Sequence, residues 1–242
     1  DKVDTISPDT YDQHVHRGYI GSDTSVGFQG GGGMDLASRY KLKDTGYLYE
    51  AVSFLQDNKE KIDNQLKLFD SIEGFLNSYF GIPDAMVGDN RVNLIEKKID
   101  WGTTDEEAFA AFEKIDISIF KGEHVAMCAE HAAMAQNILS LFGYEAYYIN
   151  GNANIDGKSE GHAFNVLSDN SGQKNVVDFS ITSTLEYRGS NWIVPTVKRI
   201  SNFDQFLSGG RVSTFSYNGH VNENGEIIRK KAHDVEYDLT PK

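Results

Sequence analysis

One cysteine occurs in 242 residues, and two short stretches downstream of it carry a histidine and an aspartate that could work with it. Cys128 opens "CAEHAAMAQNILSLFG", His162 stands in "GHAFNV" and Asp178 in "VVDFS". A thiol in the first turn of a helix feels the positive end of the helix dipole, and a neighbouring imidazolium adds to that field. Both favour the thiolate, which is the reactive form. An aspartate bound to one ring nitrogen of a histidine fixes its tautomer and leaves the other nitrogen to exchange a proton with the nucleophile. These residue types make a Cys-His-Asp triad if the fold brings them together.

The elements that must do so can be read from periodicity. Cys128, Ala132, Ala135, Leu139 and Phe142 recur at spacings of four and three, which predicts a helix with one apolar stripe, Cys128 at its top and Gly143 at its stop. After Tyr144 the period changes to two, and strands are predicted at 144–149, 162–167, 175–179, 192–197, 212–218 and 226–229. If 168–172 is a hairpin loop centred on Asn170, His162 faces Asp178 and Phe164 faces Val176. Opposed Cβ atoms lie about 4.5 to 5.5 Å apart, within reach of an imidazole to carboxylate hydrogen bond. A bulge that slipped the register would undo this pairing. The segment 151–161 reads as a long loop that shapes access.

Upstream, Leu48, Val52, Leu55, Ile62, Leu66, Phe69, Ile72 and Leu76 repeat at helical spacing as one long helix or two packed ones, ended by Gly81-Ile82-Pro83. A polar turn follows. A short helix at 105–114 then has Thr104 as its N-cap and Ala108, Phe109 and Phe112 on its apolar side. Residues 1–45 read as an irregular arm. Its Gly30 to Gly33 run lacks the GK[ST] of a phosphate loop and is expected to be a flexible loop. The expected architecture is α+β: an arm at 1–45, then one domain at 46–242 whose N-terminal helices pack on one side of a mostly antiparallel sheet.

Composition sets the surroundings. With 39% apolar and 12% aromatic residues the chain can bury a substantial core. Lys and Arg number 23 against 36 Asp and Glu, a formal charge of −13, and the longest basic run is Arg229-Lys230-Lys231. A phosphate backbone would be repelled, so nucleic acid is not an expected partner. No apolar run reaches the ~18 residues of a membrane span. A chain opening at Asp1 with one cysteine and many Gly and Asn residues suggests a trimmed protein, secreted or at a cell surface, that does without disulfides.

The series Cys128-Ala129-Glu130-His131-Ala132, then Leu139-Ser140-Leu141-Phe142-Gly143-Tyr144, Gly161-His162-Ala163-Phe164-Asn165-Val166 and Val177-Asp178-Phe179-Ser180 resembles the core of the transglutaminase-like superfamily, whose fold is related to the papain-like cysteine proteases. The resemblance covers residues 121–182. It implies a transglutaminase-like or papain-like core with Cys128 as the acyl-accepting nucleophile, His162 as its base and Asp178 as the orienter. It also implies acyl transfer or hydrolysis at peptide or protein amide bonds through a Cys thioester, with water or an amine as second substrate and no metal or organic cofactor. Ala129, Phe164 and Phe179-Ser180 stand where the family often has an aromatic residue, Trp and Pro-Thr. All three triad members are retained, and hydrolysis is preferred over cross-linking.

Other readings compete. A lone cysteine on an apolar stripe can simply be core. His124, Cys128 and His131 share a helical spacing that could serve zinc, although no second cysteine or HExxH accompanies them. Cys128-x-Glu130 resembles the arylamine N-acetyltransferases, but their Arg-Gly-Gly lead-in is absent. A non-catalytic binding or surface-interaction module could keep the same fold.

Overall fold

The computed structural model describes residues 25–27, 39–41, 47–57, 65–83, 87–98, 100–112, 117–141, 144–168 and 171–239. Gly30 to Gly33, Ile62, Phe142 and Gly143, which the sequence singled out, lie outside them. Two three-residue strands, β1 (Ser25–Gly27) and β2 (Arg39–Lys41), pair antiparallel within the stretch read as an arm. Helices α1 (Tyr47–Asp57), α2 (Gln65–Phe80), α3 (Val87–Lys98) and α4 (Asp105–Phe112) follow, then a 3-10 turn (Ile117–Phe120) and α5 (Cys128–Leu141). The apolar periodicity between Leu48 and Leu76 thus serves two helices. At α4 the Thr104 hydroxyl accepts from the Glu107 N–H (3.2 Å) while Glu107 Oε2 accepts from the Thr104 N–H (3.1 Å), a reciprocal capping box. Helix α3 occupies the polar stretch read as a turn.

The strands are longer than predicted and close on themselves. β3 (Glu145–Ile155), β4 (Lys158–Ser168), β5 (Lys174–Tyr187), β6 (Ser190–Arg199), a short helix α6 (Phe203–Leu207), β7 (Val212–Val221) and β8 (Ile227–Asp238) complete the chain. Their order is β4-β3-β8-β7-β5, and β5 pairs again with β4, so five strands form a closed barrel with β6 added along β5. All of these pairings are antiparallel except β5 with β7. The expected α+β architecture, a transglutaminase-like or papain-like core with N-terminal helices on one side of a mostly antiparallel sheet, is therefore incorrect, because the sheet closes into a barrel. Strands of ten to fourteen residues accumulate enough twist to curl and meet, and among the described residues closure leaves β6 as the edge of this sheet.

The segment 151–161, read as a loop, is the turn end of the β3–β4 hairpin in the barrel wall. β3 and β4 are joined by Asp156 and Gly157 alone, both with positive φ (49° and 88°), the two-residue turn that matches strand twist. Glycine at 151 serves a close approach, since a Cβ there would lie 2.6 Å from the Asp238 carbonyl oxygen of β8.

Two apolar cores meet at one seam. Helices α2 and α5 pack on the barrel through Phe69, Ile72, Leu76, Phe80, Ala132 and Leu139, together with Ala163 and Phe179 from the wall. A second core within the strands gathers Phe164, Val166, Val176, Phe206, Val235 and Tyr237. Residues 162–164 and 176–179 alternate between the two, so polar side chains on these strands are held between packed layers. Among the described residues no helix is long and apolar enough to cross a membrane.

Candidate functional site: a buried cysteine, histidine and aspartate

The approach to Cys128 is pinned residue by residue. Gly122 and His124 donate their N–H groups to Tyr79 and Phe80 carbonyls at the end of α2 (2.8 and 2.9 Å), and His124 Nδ1 lies 2.9 Å from the Ile82 oxygen. Gly81, at φ 78°, cannot be replaced without strain, because a Cβ would fall 2.6 Å from the His124 ring. Arg91 of α3 donates to the Val125 carbonyl (3.2 Å) and forms a two-pronged ion pair with Glu130 (2.9 and 2.5 Å) with neither side chain exposed. Glu130 Oε2 also accepts from the Met127 N–H at 2.9 Å. The Cys-x-Glu spacing thus has a structural use: Glu130 caps the helix that begins at Cys128 and ties it to α3.

Cys128 is 9% exposed. His162 comes from β4 and Asp178 from β5, as the residue types suggested, but the hairpin loop is centred one residue later than expected. Val166 faces Val176 and Ser168 faces Lys174, and the ladder ends at Asn165 and Val177. Continued, this register puts Phe164 opposite Asp178, with His162 diagonal to it. The shift moves the partner by two positions, so both side chains stay on the same face. The His162 Nε2–H donates to Asp178 Oδ2 at 2.8 Å, and the ring also hydrogen-bonds the Cys128 thiol. Nε2 is committed to the carboxylate, which leaves Nδ1 for the thiol.

Asp178 is fully satisfied. Its Oδ2 also accepts from the Tyr237 hydroxyl at 2.7 Å, and its Oδ1 accepts from the Ser180 and Ile181 N–H groups at 2.8 and 3.2 Å. Those two N–H groups are available because β5 bulges there: Asp178 pairs with Thr196, and the next pair is Thr182 with Pro195. Proline has no N–H to give a ladder, so its place opposite the bulge fits. Tyr237 was missed by the sequence reading.

Electrostatics follow from this burial. Desolvation pushes His162 down, but the Asp178 charge and hydrogen bond, with a smaller contribution from Cys128, outweigh it and raise the imidazole to about 11. The imidazolium form is held through neutral pH. Burial and the Asp178 charge push the Tyr237 hydroxyl up, so it stays a donor. Burial pushes His131 down, and its Nδ1 lies 2.8 Å from the Met127 carbonyl oxygen. His131 packs its ring 5.2 Å from Phe80, whereas His124 is exposed on the loop. Among the described residues no group of three His, Cys, Asp or Glu side chains is arranged to hold a metal ion.

A second buried carboxyl lies close enough to Asp178 to feel its charge. Glu73 of α2 is 2% exposed, and its Oε1 has no hydrogen-bond partner. Burial, then the charges of Asp178 and Asp70, raise it well above the usual carboxylate range. One turn away, Phe69 packs edge-on against Phe179, the neighbour of Asp178, with ring centroids 6.0 Å apart. Compared with models of known families, with curated proteins and with solved structures, the chain matched none.

Proposed function

We propose that this protein is a thiol-dependent enzyme that transfers acyl groups from peptide or protein amide bonds, to water or to an amine, through a thioester on Cys128. The observation that carries the reading is the chain of hydrogen bonds from Cys128 to His162 to Asp178, held at the first turn of a helix and supported by Tyr237. The reading rests on these side chains, not on membership of a family.

The steps follow from the charges. With His162 held as imidazolium, Cys128 has a cation beside it, and such a neighbour favours the nucleophilic form of a cysteine. The Cys128 sulfur attacks the amide carbonyl carbon. The developing oxyanion is met by the Cys128 N–H at the N-terminus of α5, where the helix dipole is positive. His162 gives its Nδ1 proton to the leaving amine as the C–N bond breaks, leaving a thioester. Neutral His162 then takes a proton from water or an incoming amine, which attacks the thioester and frees the thiolate. Asp178 keeps the ring in one orientation and stabilises its charged form throughout.

The test is the rate of Cys128 alkylation by iodoacetamide against pH, in the wild type and in His162→Ala. Fast alkylation below pH ~8.5 that disappears in the variant supports the pair. An ordinary thiol indifferent to His162 would sink the reading.

A further inference from the structure

A concave site that none of the triad residues lines lies between α2 and the barrel wall. Its cavity of about 280 Å³ is walled by Leu66 and Phe69 of α2 and by Phe215 and Tyr217 of β7, with Lys198 of β6 and Arg229 of β8 contributing the charged groups. That volume falls just under the range of drug-sized ligand pockets and suits one small molecule. The apolar surface around it is unusually open, with Val197 45% and Phe215 37% exposed. Scattered exposed side chains need no explanation, but these converge on one concavity.

Charge singles the cavity out. The chain carries −13 overall, yet among the described residues no Asp or Glu lines this cavity and two cations do. The Arg229 guanidinium stacks 5.0 Å over the Tyr217 ring, which holds the charge against the apolar wall. Lys198 is exposed and forms no ion pair among the described residues. In an acidic molecule, a cleft with cationic groups and apolar walls selects an anion with an apolar body.

We infer that this cleft binds a small apolar carboxylate, its hydrocarbon part against Leu66, Phe69, Phe215 and Tyr217 and its carboxylate between Lys198 and Arg229. Either a fatty acid or the C-terminus of an apolar peptide supplies that chemistry. The site stands independently of the reaction at Cys128.

The experiment is calorimetric titration of the full chain with octanoate, with N-acetyl-leucyl-leucine and with 1-octanol as an uncharged control. Submillimolar binding of one or both carboxylates is expected, at least about tenfold tighter than octanol, since a charge-assisted hydrogen bond is worth roughly that factor. The carboxylate that binds more tightly identifies the source. A folded Lys198→Gln/Arg229→Gln variant should weaken it by about tenfold or more. Lys198→Gln alone, at an exposed position, should weaken it by about threefold and serves if the double variant fails to fold. Absence of binding by both carboxylates, equal binding of octanol, or variants that bind as the wild type does would each overturn the assignment.

Discussion

Two histidine–aspartate pairs in this molecule have nearly the same length and opposite surroundings. His162 and Asp178 meet at 2.8 Å with side chains 6% and 0% exposed, while His233 and Asp156 meet at 2.7 Å with 59% and 52% exposed. Asp156 sits in the β3–β4 turn, where it also accepts the Asp234 N–H, and so links the turn to β8. Those contacts lower its carboxyl, and solvent reaches both partners. Asp178 has four donors around it and a thiol on the far side of its histidine. A short distance therefore does not by itself set one pair apart from the other. Burial, which strengthens each charge interaction and fixes the ring, separates them.

The largest consequence is in turnover. Asp178→Asn should lower the acyl-transfer rate by about 10⁴-fold, because the amide cannot stabilise the imidazolium or impose its tautomer. Asp156→Asn should leave the rate unchanged. Steady-state kinetics on one thiol-ester or peptide substrate reads both, and equal effects at the two sites would break the comparison. The pH dependence of stability comes next. His162 is raised to about 11, so its contribution is fully present below its ordinary value near 6.5 and is lost as pH rises toward 11. Urea unfolding between pH 6 and 10 should show this decline in the wild type and in His233→Gln, and not in His162→Gln. A smaller effect belongs to Tyr237→Phe, which removes one of the two donors on Asp178 Oδ2. Turnover should fall about tenfold, the worth of one hydrogen bond to a charged group, with folding retained. An unchanged rate would remove Tyr237 from the support of the site.

What the sequence made legible divides along physical lines. The helix starting at Cys128 and the strands bearing His162 and Asp178 follow from apolar periodicity, and residue type and spacing singled out the three side chains that the fold brings together. The register was off, yet the side chains still meet, because a shift of two positions preserves the face of a strand. Closure of the barrel was not legible. Gly151, Asn152 and Asn154 carry loop chemistry although they lie in β3, where glycine makes room for β8. Tyr237 was hidden because residues 229–234 of β8 alternate poorly and are largely exposed charges, so the strand that delivers it showed no period. Arg91 was missed for a related reason: α3 buries only Arg91 and Ile95, too thin a stripe to predict a helix. Its ion pair with Glu130 is set by packing between elements distant in sequence, and no local pattern announces it.

Glu73 sharpens the contrast in the other direction. It is as buried as Asp178, but its Oε1 has no hydrogen-bond partner, and its carboxyl is raised where Asp178 is supported by donors. A carboxyl whose folded value is raised contributes most below its unfolded value near 4.5. As pH climbs above that value the unfolded chain gives up the proton and the folded chain keeps it, so the folded state loses ground. Glu73→Leu, similar in bulk and without charge, should therefore raise stability by about 1 kcal/mol or more at pH 7, with the gain shrinking toward pH 4.5. Paired urea unfolding curves at pH 4.5 and 7 measure this directly. A variant less stable than the wild type at pH 7 would mean that Glu73 is held by interactions outweighing its burial, and the distinction between a supported and an unsupported carboxyl near the triad would fail.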